Sequence, residues 1–320
     1  MRHGVNKGTS RACALEFPGE VCEEVHARPA RCESETVQRG VKSCGACRRV
    51  MELSWESLDH PLVAWGVLPY LSINVGYWTT VVLLELLLLN PAVRKRLIPR
   101  RGGRWAAVEK LRREIPVAAQ LRSAAWVMAG PPAIGNALIS AFLMPAVAGA
   151  APWPSSVARF AAHLVLLELV GDYGLYWGHR IQHMVPYLWK HCHALHHRIK
   201  TPTPASTVFI DSTDATLQGG LPLILAAAVV RPHWLTFCAY VAVRIAENVC
   251  NHSGLDGAVV DVVTLRFLPG RARIKHHDHH HQYSNRGSGR NFGEMFWLWD
   301  WAHGTLAVSR SEAYPVGRDQ

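Results

Sequence analysis

Histidine spacing constrains this chain more than any other feature. His179 and His183 stand four residues apart. His193, His196 and His197 follow in an HxxHH pattern, which His277, His280 and His281 repeat. On a helix, positions i, i+3 and i+4 share one face. Each group is therefore expected to aim two or three imidazoles at one point. Neutral imidazole is the commonest protein metal ligand. Eight aligned histidines are too many for one ion and suit two. The bland alternative is a solvated histidine-rich loop, as in a purification tag. The repeated spacing and the intervening Trp, Leu and Tyr argue against it.

Apolar runs surround these histidines. Residues 64–89 are apolar with one acid, Glu85. That run exceeds the roughly 20 residues a spanning helix needs. A buried helix in a soluble protein is rarely apolar on all faces for so long. Residues 91–122 then carry Arg94, Lys95, Arg96, Arg100, Arg101, Arg104, Lys110, Arg112, Arg113 and Arg122, opposed by Glu109 and Glu114. Between two apolar runs, such a basic stretch reads as a cytosolic loop. The formal net charge of +10 thus belongs to membrane orientation, and nucleic acid is not an expected partner. Residues 124–148 form a second uncharged run, and the turn at 149–154 is placed on the far side.

Residues 157–177 read as a third span returning to the cytosolic side. Glu168, Asp172, His179 and His183 share one face if that helix runs on unbroken. Residues 198–216 read as a loop. The short runs 217–230 and 234–247 read as a hairpin dipping into the membrane or a broken pair of spans. The expected fold is all-α: a polytopic membrane protein with about four to five membrane-embedded helical segments and a cytosolic, histidine-lined di-metal site. Four regions are expected. They are a polar, disordered extension (1–60), two spans with the basic loop (61–155), a catalytic region (156–310) and a tail (311–320).

The segments HRIQH (179–183), HALHH (193–197) and HHDHHH (276–281), in this order, resemble the three histidine boxes of the fatty acid hydroxylase and sterol desaturase superfamily. The lead-in DYGLYWGHR (172–180), NHSG (251–254), NFG (291–293) and WDWAHGT (299–305) resemble it too. The resemblance covers about residues 160–307. It implies a membrane-bound enzyme with two irons that activates dioxygen at an unreactive C–H bond of a lipid. It also implies electrons from NAD(P)H through a reductase or b-type cytochrome, and the endoplasmic reticulum membrane as location. In that reading His179, His183, His193, His196, His197, His252, His277, His280 and His281 are ligands. The third box and NHSG look most like the sterol 4-methyl oxidases. Gln182 departs from the apolar residue common there. Sphingoid-base or fatty acyl hydroxylases and sterol desaturases are the alternatives within the superfamily.

Other residues are assigned by spacing. His191, His276 and His279 fall outside the boxes. On a helix His279 lies about 200° from His277, on the opposite face. Asp172, Asn291 and Asp300 are candidates to orient imidazoles through hydrogen bonds. For Asp172 a helix–helix hydrogen bond is an equal alternative. Asn248 stands one turn before His252, where some relatives have histidine, so a ligand is missing or replaced by water. Trp297, Trp299 and Trp301 are expected to anchor the interface. Five of the eight cysteines lie within the first 47 residues, so the histidine site is not a thiolate site. Cys44 and Cys47 form one CxxC without a second close pair for a structural zinc. A metal transporter would need ligands near the bilayer midplane, whereas these boxes follow the spans.

Overall fold

The computed structural model describes residues 58–148 and 156–307. The extension through residue 57 with its CxxC, the far-side turn and the tail beyond 307 lie outside the described residues. Every regular element described is helical, with two isolated β-bridges besides.

Helix α1 (Leu62–Leu87) begins with a π-wound turn and then becomes regular. It exposes Val75, Val82, Leu83 and Leu86, a face that lipid covers and water disfavours. Its one acid is answered from within the protein. Arg112 Nη2 donates to Glu85 Oε2 at 2.5 Å, and Ala205 N donates to Oε1 at 3.1 Å. The helix α2 (Arg104–Glu114) lies in the basic stretch.

The second apolar stretch is two helices, α3 (Val117–Ala129) and α4 (Pro131–Ala148). They break at Gly130 because the following Pro131 disfavours helical backbone before it. The helical stretch starts at 117 rather than 124, so Arg122 lies inside it and the basic loop is shorter than expected.

Helix α5 (Val157–Met184) runs unbroken for 28 residues, about 42 Å at 1.5 Å per residue. Helix α6 (Ser212–Val230) starts five residues before the expected run and is π-wound over Ala215–Gly220. Arg231, in left-handed conformation, turns the chain into α7 (Trp234–Ser253), so the two short apolar runs lie on two helices joined by a short turn. Among the described residues, three stretches are long and apolar enough to cross a membrane: Leu62–Leu87, Val117–Ala148 and Ser212–Val230. The expected third span, within α5, is long enough but too polar to join them. Its Asp172, His179 and His183 are spent inward, where they are buried.

Trp65, Met144, Leu167, Ile224, Phe237 and Tyr240 share one core, drawn from α1, α4, α5, α6 and α7. Helices α5 and α7 approach closely at Gly171, where a Cβ would stand 1.9 Å from the Tyr240 hydroxyl oxygen.

Three short helices follow α7 among the described residues: α8 (Ala258–Val263), α9 (Ile274–Tyr283) and α10 (Leu298–Ala302). The basic stretch is not wholly a solvated loop. Arg100, half-buried, and Arg104, buried, pair with Asp278 of α9 at 2.7 and 2.8 Å. Arg104 also reaches Gly254, where φ is +68° and any Cβ would meet the guanidinium at 2.0 Å. That position requires glycine both for conformation and for space.

The reading of sides is testable. A glycosylation acceptor inserted after Gly149 should be modified, and one at Gly102–Gly103 should not. The second site is an exposed turn, whereas 198–204 includes the buried Ile199 and Thr203. The reverse pattern of modification refutes the orientation.

Candidate metal centre

The nine histidines converge as two buried groups. His179, His183, His193, His197 and His280 form one, and His196, His252, His277 and His281 the other. Within each group the ligand nitrogens all lie within 4.8 Å of one another. Each HxxHH triad is divided between the groups, contrary to the expectation that each aims at one point. His193 and His197 go to the first group and His196 to the second. His280 goes to the first, His277 and His281 to the second. Adjacent residues on a helical turn point about 100° apart, so an HH pair reaches two centres at once.

Different backbones deliver the three boxes. His179 and His183 sit on regular α5, and the third box on regular α9. The second box does not form an α-helix. His193 ends a π-wound turn, Trp189–His193, and His196–Arg198 is a 3₁₀ turn.

The Nδ1 atoms fix the tautomers. Those of His179, His183, His252, His280 and His281 face the carbonyl oxygens of Phe292, Asn285, Asn248, Arg290 and Ile199 at 2.6–3.1 Å. His193 Nδ1 faces Asp214 Oδ2 at 2.9 Å. A carbonyl oxygen only accepts, so the Nδ1 atoms of the five carbonyl-facing rings carry the proton. Each Nε2 is then a bare lone pair. Burial, then neighbouring imidazoles, push His193, His197, His277 and His280 well below the ordinary histidine range. These rings are neutral, the form that ligates metals.

Such an arrangement does not satisfy itself. His252 Nε2 and His281 Nε2 stand 3.2 Å apart with no proton between them. His183, His193 and His280 each turn Nε2 toward His197 Nε2 at 3.0–3.1 Å, and one proton there serves only one of them. His179 Nε2 is buried without a partner. Spacings of about 3.0 Å are those of neighbouring nitrogens on one ion with bonds of about 2.1 Å at right angles. The residues fit a di-metal site, one ion per group.

Of the three orienting candidates, none touches a ring of either group. Asp172 accepts from the backbone N–H groups of Glu294, Met295 and Phe296 at 3.0–3.3 Å. Arg244 Nη2 lies 3.6 Å from the same carboxylate. Asp300 accepts from the backbone of Phe292 and Gly293 at 2.8 Å and meets His276 Nε2 at 3.1 Å. Asn291 donates to the His276 carbonyl and accepts from Ala307 N. All three hold the 291–296 segment, which in turn supplies the Phe292 carbonyl to His179.

Asn248 is in neither group. Its carbonyl receives His252 Nδ1, and its side chain donates to Glu294 Oε2. His279 is half-buried and packs on Tyr283, away from both groups. Asp214 and Glu294 were not legible from spacing. Asp214 follows His193 by 21 residues in a stretch read as loop, and Glu294 is buried and paired with Arg244 at 3.0 Å.

A cavity of about 190 Å³ opens beside the second group. His196, His252, Asn248, Glu294, Arg244 and Asp214 are among its polar lining, and Trp65, Ile73, Val127, Ile224 and Phe237 of the apolar helices are among its apolar lining.

Replacing Asp172 with Asn should leave buried amides short of acceptors and lower unfolding stability by about 1–3 kcal/mol. Denaturant midpoints of the detergent-solubilised variants check this. An unchanged midpoint refutes the anchoring role.

Residues 164–305 match the model of the family described as fatty acid hydroxylase. Methylsterol monooxygenase 1-2 of Arabidopsis thaliana is 30% identical over 154 residues, 48% of this chain and 49% of that protein. A very-long-chain aldehyde decarbonylase of Oryza sativa subsp. japonica is 29% identical over 154 residues, with the same two shares. Methylsterol monooxygenase 2-2 of Arabidopsis thaliana is 29% identical over 145 residues, 45% of this chain and 52% of that protein. The chain spans about half the length of these relatives. No solved structure matches it. The matched region holds all three histidine boxes and both histidine groups, and in that region the chain is similar to the fatty acid hydroxylase family.

Proposed function

We propose that this protein is a membrane-bound di-iron oxygenase that oxidises a C–H bond of a lipid, with a sterol 4-methyl group as the preferred target. The observation that carries the reading is the apolar cavity running from the membrane helices to His196 and His252. A lipid entering it would bring its buried end to the second histidine group. The nine histidines would hold the ions, His179, His183, His193, His197 and His280 one of them, His196, His252, His277 and His281 the other. When bound, two irons supply the activation of dioxygen. The chain's own residues bind, orient and exclude water. Carbonyls on Nδ1 hold the rings in register, and the buried shell keeps them neutral. Arg244 and Asn248 hold the Glu294 carboxylate at the polar end of the cavity. The electrons would come from NAD(P)H through a reductase or b-type cytochrome. We place the protein in the endoplasmic reticulum membrane with the boxes on the cytosolic side.

Relatives named for methylsterol oxidation and for aldehyde decarbonylation match about equally, so both substrates belong in the assay. The purified protein in nanodiscs, with dioxygen and an electron donor, should convert a 4-methyl sterol and place isotopic oxygen from dioxygen in the product. Conversion of a long-chain aldehyde or a sphingoid base alone refutes the sterol assignment. A product without that isotope refutes hydroxylation.

The ligand assignment has its own test. Active protein should carry two irons per chain. His280→Ala should lose metal and activity. His279→Ala, one residue earlier but turned to Tyr283, should keep near-normal metal and lose at most about 10–100-fold in activity. Elemental analysis and turnover at matched expression decide it, and equal metal loss in both variants refutes the assignment.

A further inference from the structure

The segment 258–268 joins the NHSG turn to the last histidine helix and has no role in the metal centre. Within ten residues it exposes Val259, Val262, Val263, Leu265, Phe267 and Leu268, with Val259 at 78%, Val263 at 77% and Phe267 at 57% of full exposure. Contiguous apolar surface of this kind is rare on a water-facing exterior and marks a contact.

Its polar groups are turned the other way. Arg266 is buried and donates to the Ala272 carbonyl. Arg271 donates to the Thr264 carbonyl and pairs with Glu247. The Asp261 carbonyl receives Arg266 N. The segment is therefore held in place from behind, and its apolar side chains are presented outward by a fixed backbone.

Its position says what covers it. Leu255 packs with Leu88 and Leu97, just past the end of α1, and Val260 packs against that cluster. Ile98 N bonds to the Gly254 carbonyl and Asp256 N to the Arg96 carbonyl, both at 2.8 Å. The segment thus hangs from the end of a membrane-crossing helix whose own last turns expose Leu83, Leu86 and Leu87. Lys95, Arg96 and Arg273 are exposed beside it. An apolar face with a cationic edge, tied to the end of a span, is the pattern of an interfacial membrane anchor.

We propose that residues 259–268 lie in the headgroup–hydrocarbon boundary of the membrane crossed by α1, with anionic lipid against Lys95, Arg96 and Arg273. Since α9 begins six residues after Leu268, this anchor sets the depth of the third histidine box. The inference rests on the membrane reading of the apolar helices and not on the identity of the substrate.

Photocrosslinking tests it on the full chain in nanodiscs of phosphatidylcholine with one-fifth phosphatidylserine. A benzophenone amino acid replaces Val263 or Phe267 in turn, with Val259 as a further position if either variant fails to fold. Position Leu86 serves as the lipid-facing control and Lys110, 73% exposed, as the water-facing one. Mass spectrometry should find lipid adducts at 263 and 267 as at 86, and background at 110. Arg273→Gln should lower the phosphatidylserine share of the adducts by up to about five-fold. Lipid adducts at 86 with background at 263 and 267 overturn the proposal and leave the membrane reading standing. Background at 86 overturns that reading too. Adducts to a second copy of the chain, or to another protein when the assay is repeated in native membranes, overturn it in favour of a protein interface.

Discussion

The described structure turns on the problem of packing nine imidazoles, five of them with a bare Nε2, in a dry interior. Each buried Nε2 without a proton or a cation costs the desolvation of a polar atom, about 1–3 kcal/mol. Two groups of such atoms are not tolerable without ions to bind them. Ions held by these nitrogens would remove that cost, so metal binding would add to folding stability. The helices do not simply carry the histidines. They hold these nitrogens within 4.8 Å of one another in each group.

Holding them there falls to groups that do not ligate. Carbonyls of Ile199, Asn248, Asn285, Arg290 and Phe292 pin five rings through Nδ1. The last three lie in the loop after α9, which Asp172 and Asp300 fix by accepting its backbone N–H groups. Arg100 and Arg104 fix α9 from its other side through Asp278. Buried carboxylates with several donors and a guanidinium nearby stay satisfied where a lone charge would not. The constraint passes from ion pair to backbone to ring to nitrogen.

This chain of support explains what the residues made legible and what they hid. The i, i+4 pair on α5 and the triad on α9 obey helical periodicity, so spacing alone identified their inward faces. The expected face joining Asp172 to His183 holds because α5 does not break. The second box was readable only as a pattern, since π and 3₁₀ turns carry it. Carbonyl partners are invisible in principle, because every residue has one. Asp214 and Glu294 come from distant segments, and no local period marks them. The basic stretch misled in part: membrane orientation accounts for such charge in general, yet two of its arginines are interior struts.

The two histidine groups are not equivalent in their surroundings. Only the four-membered group contributes to the cavity, through His196 and His252. The five-membered group is backed by Trp189, whose ring lies 4.8 Å from that of His183 and 5.2 Å from that of His197. Trp189 is half-buried, beside the exposed Lys190 and His191. One group therefore faces the apolar interior and the other the polar exterior. The difference in ligand number runs in the same direction. The five-membered group offers more imidazoles to an ion, and the four-membered group is the one the cavity reaches. Under the proposed function, a lipid entering the cavity would meet the four-histidine group first, through His196 and His252, while the five-histidine group is the one beside Trp189 and the exposed Lys190 and His191.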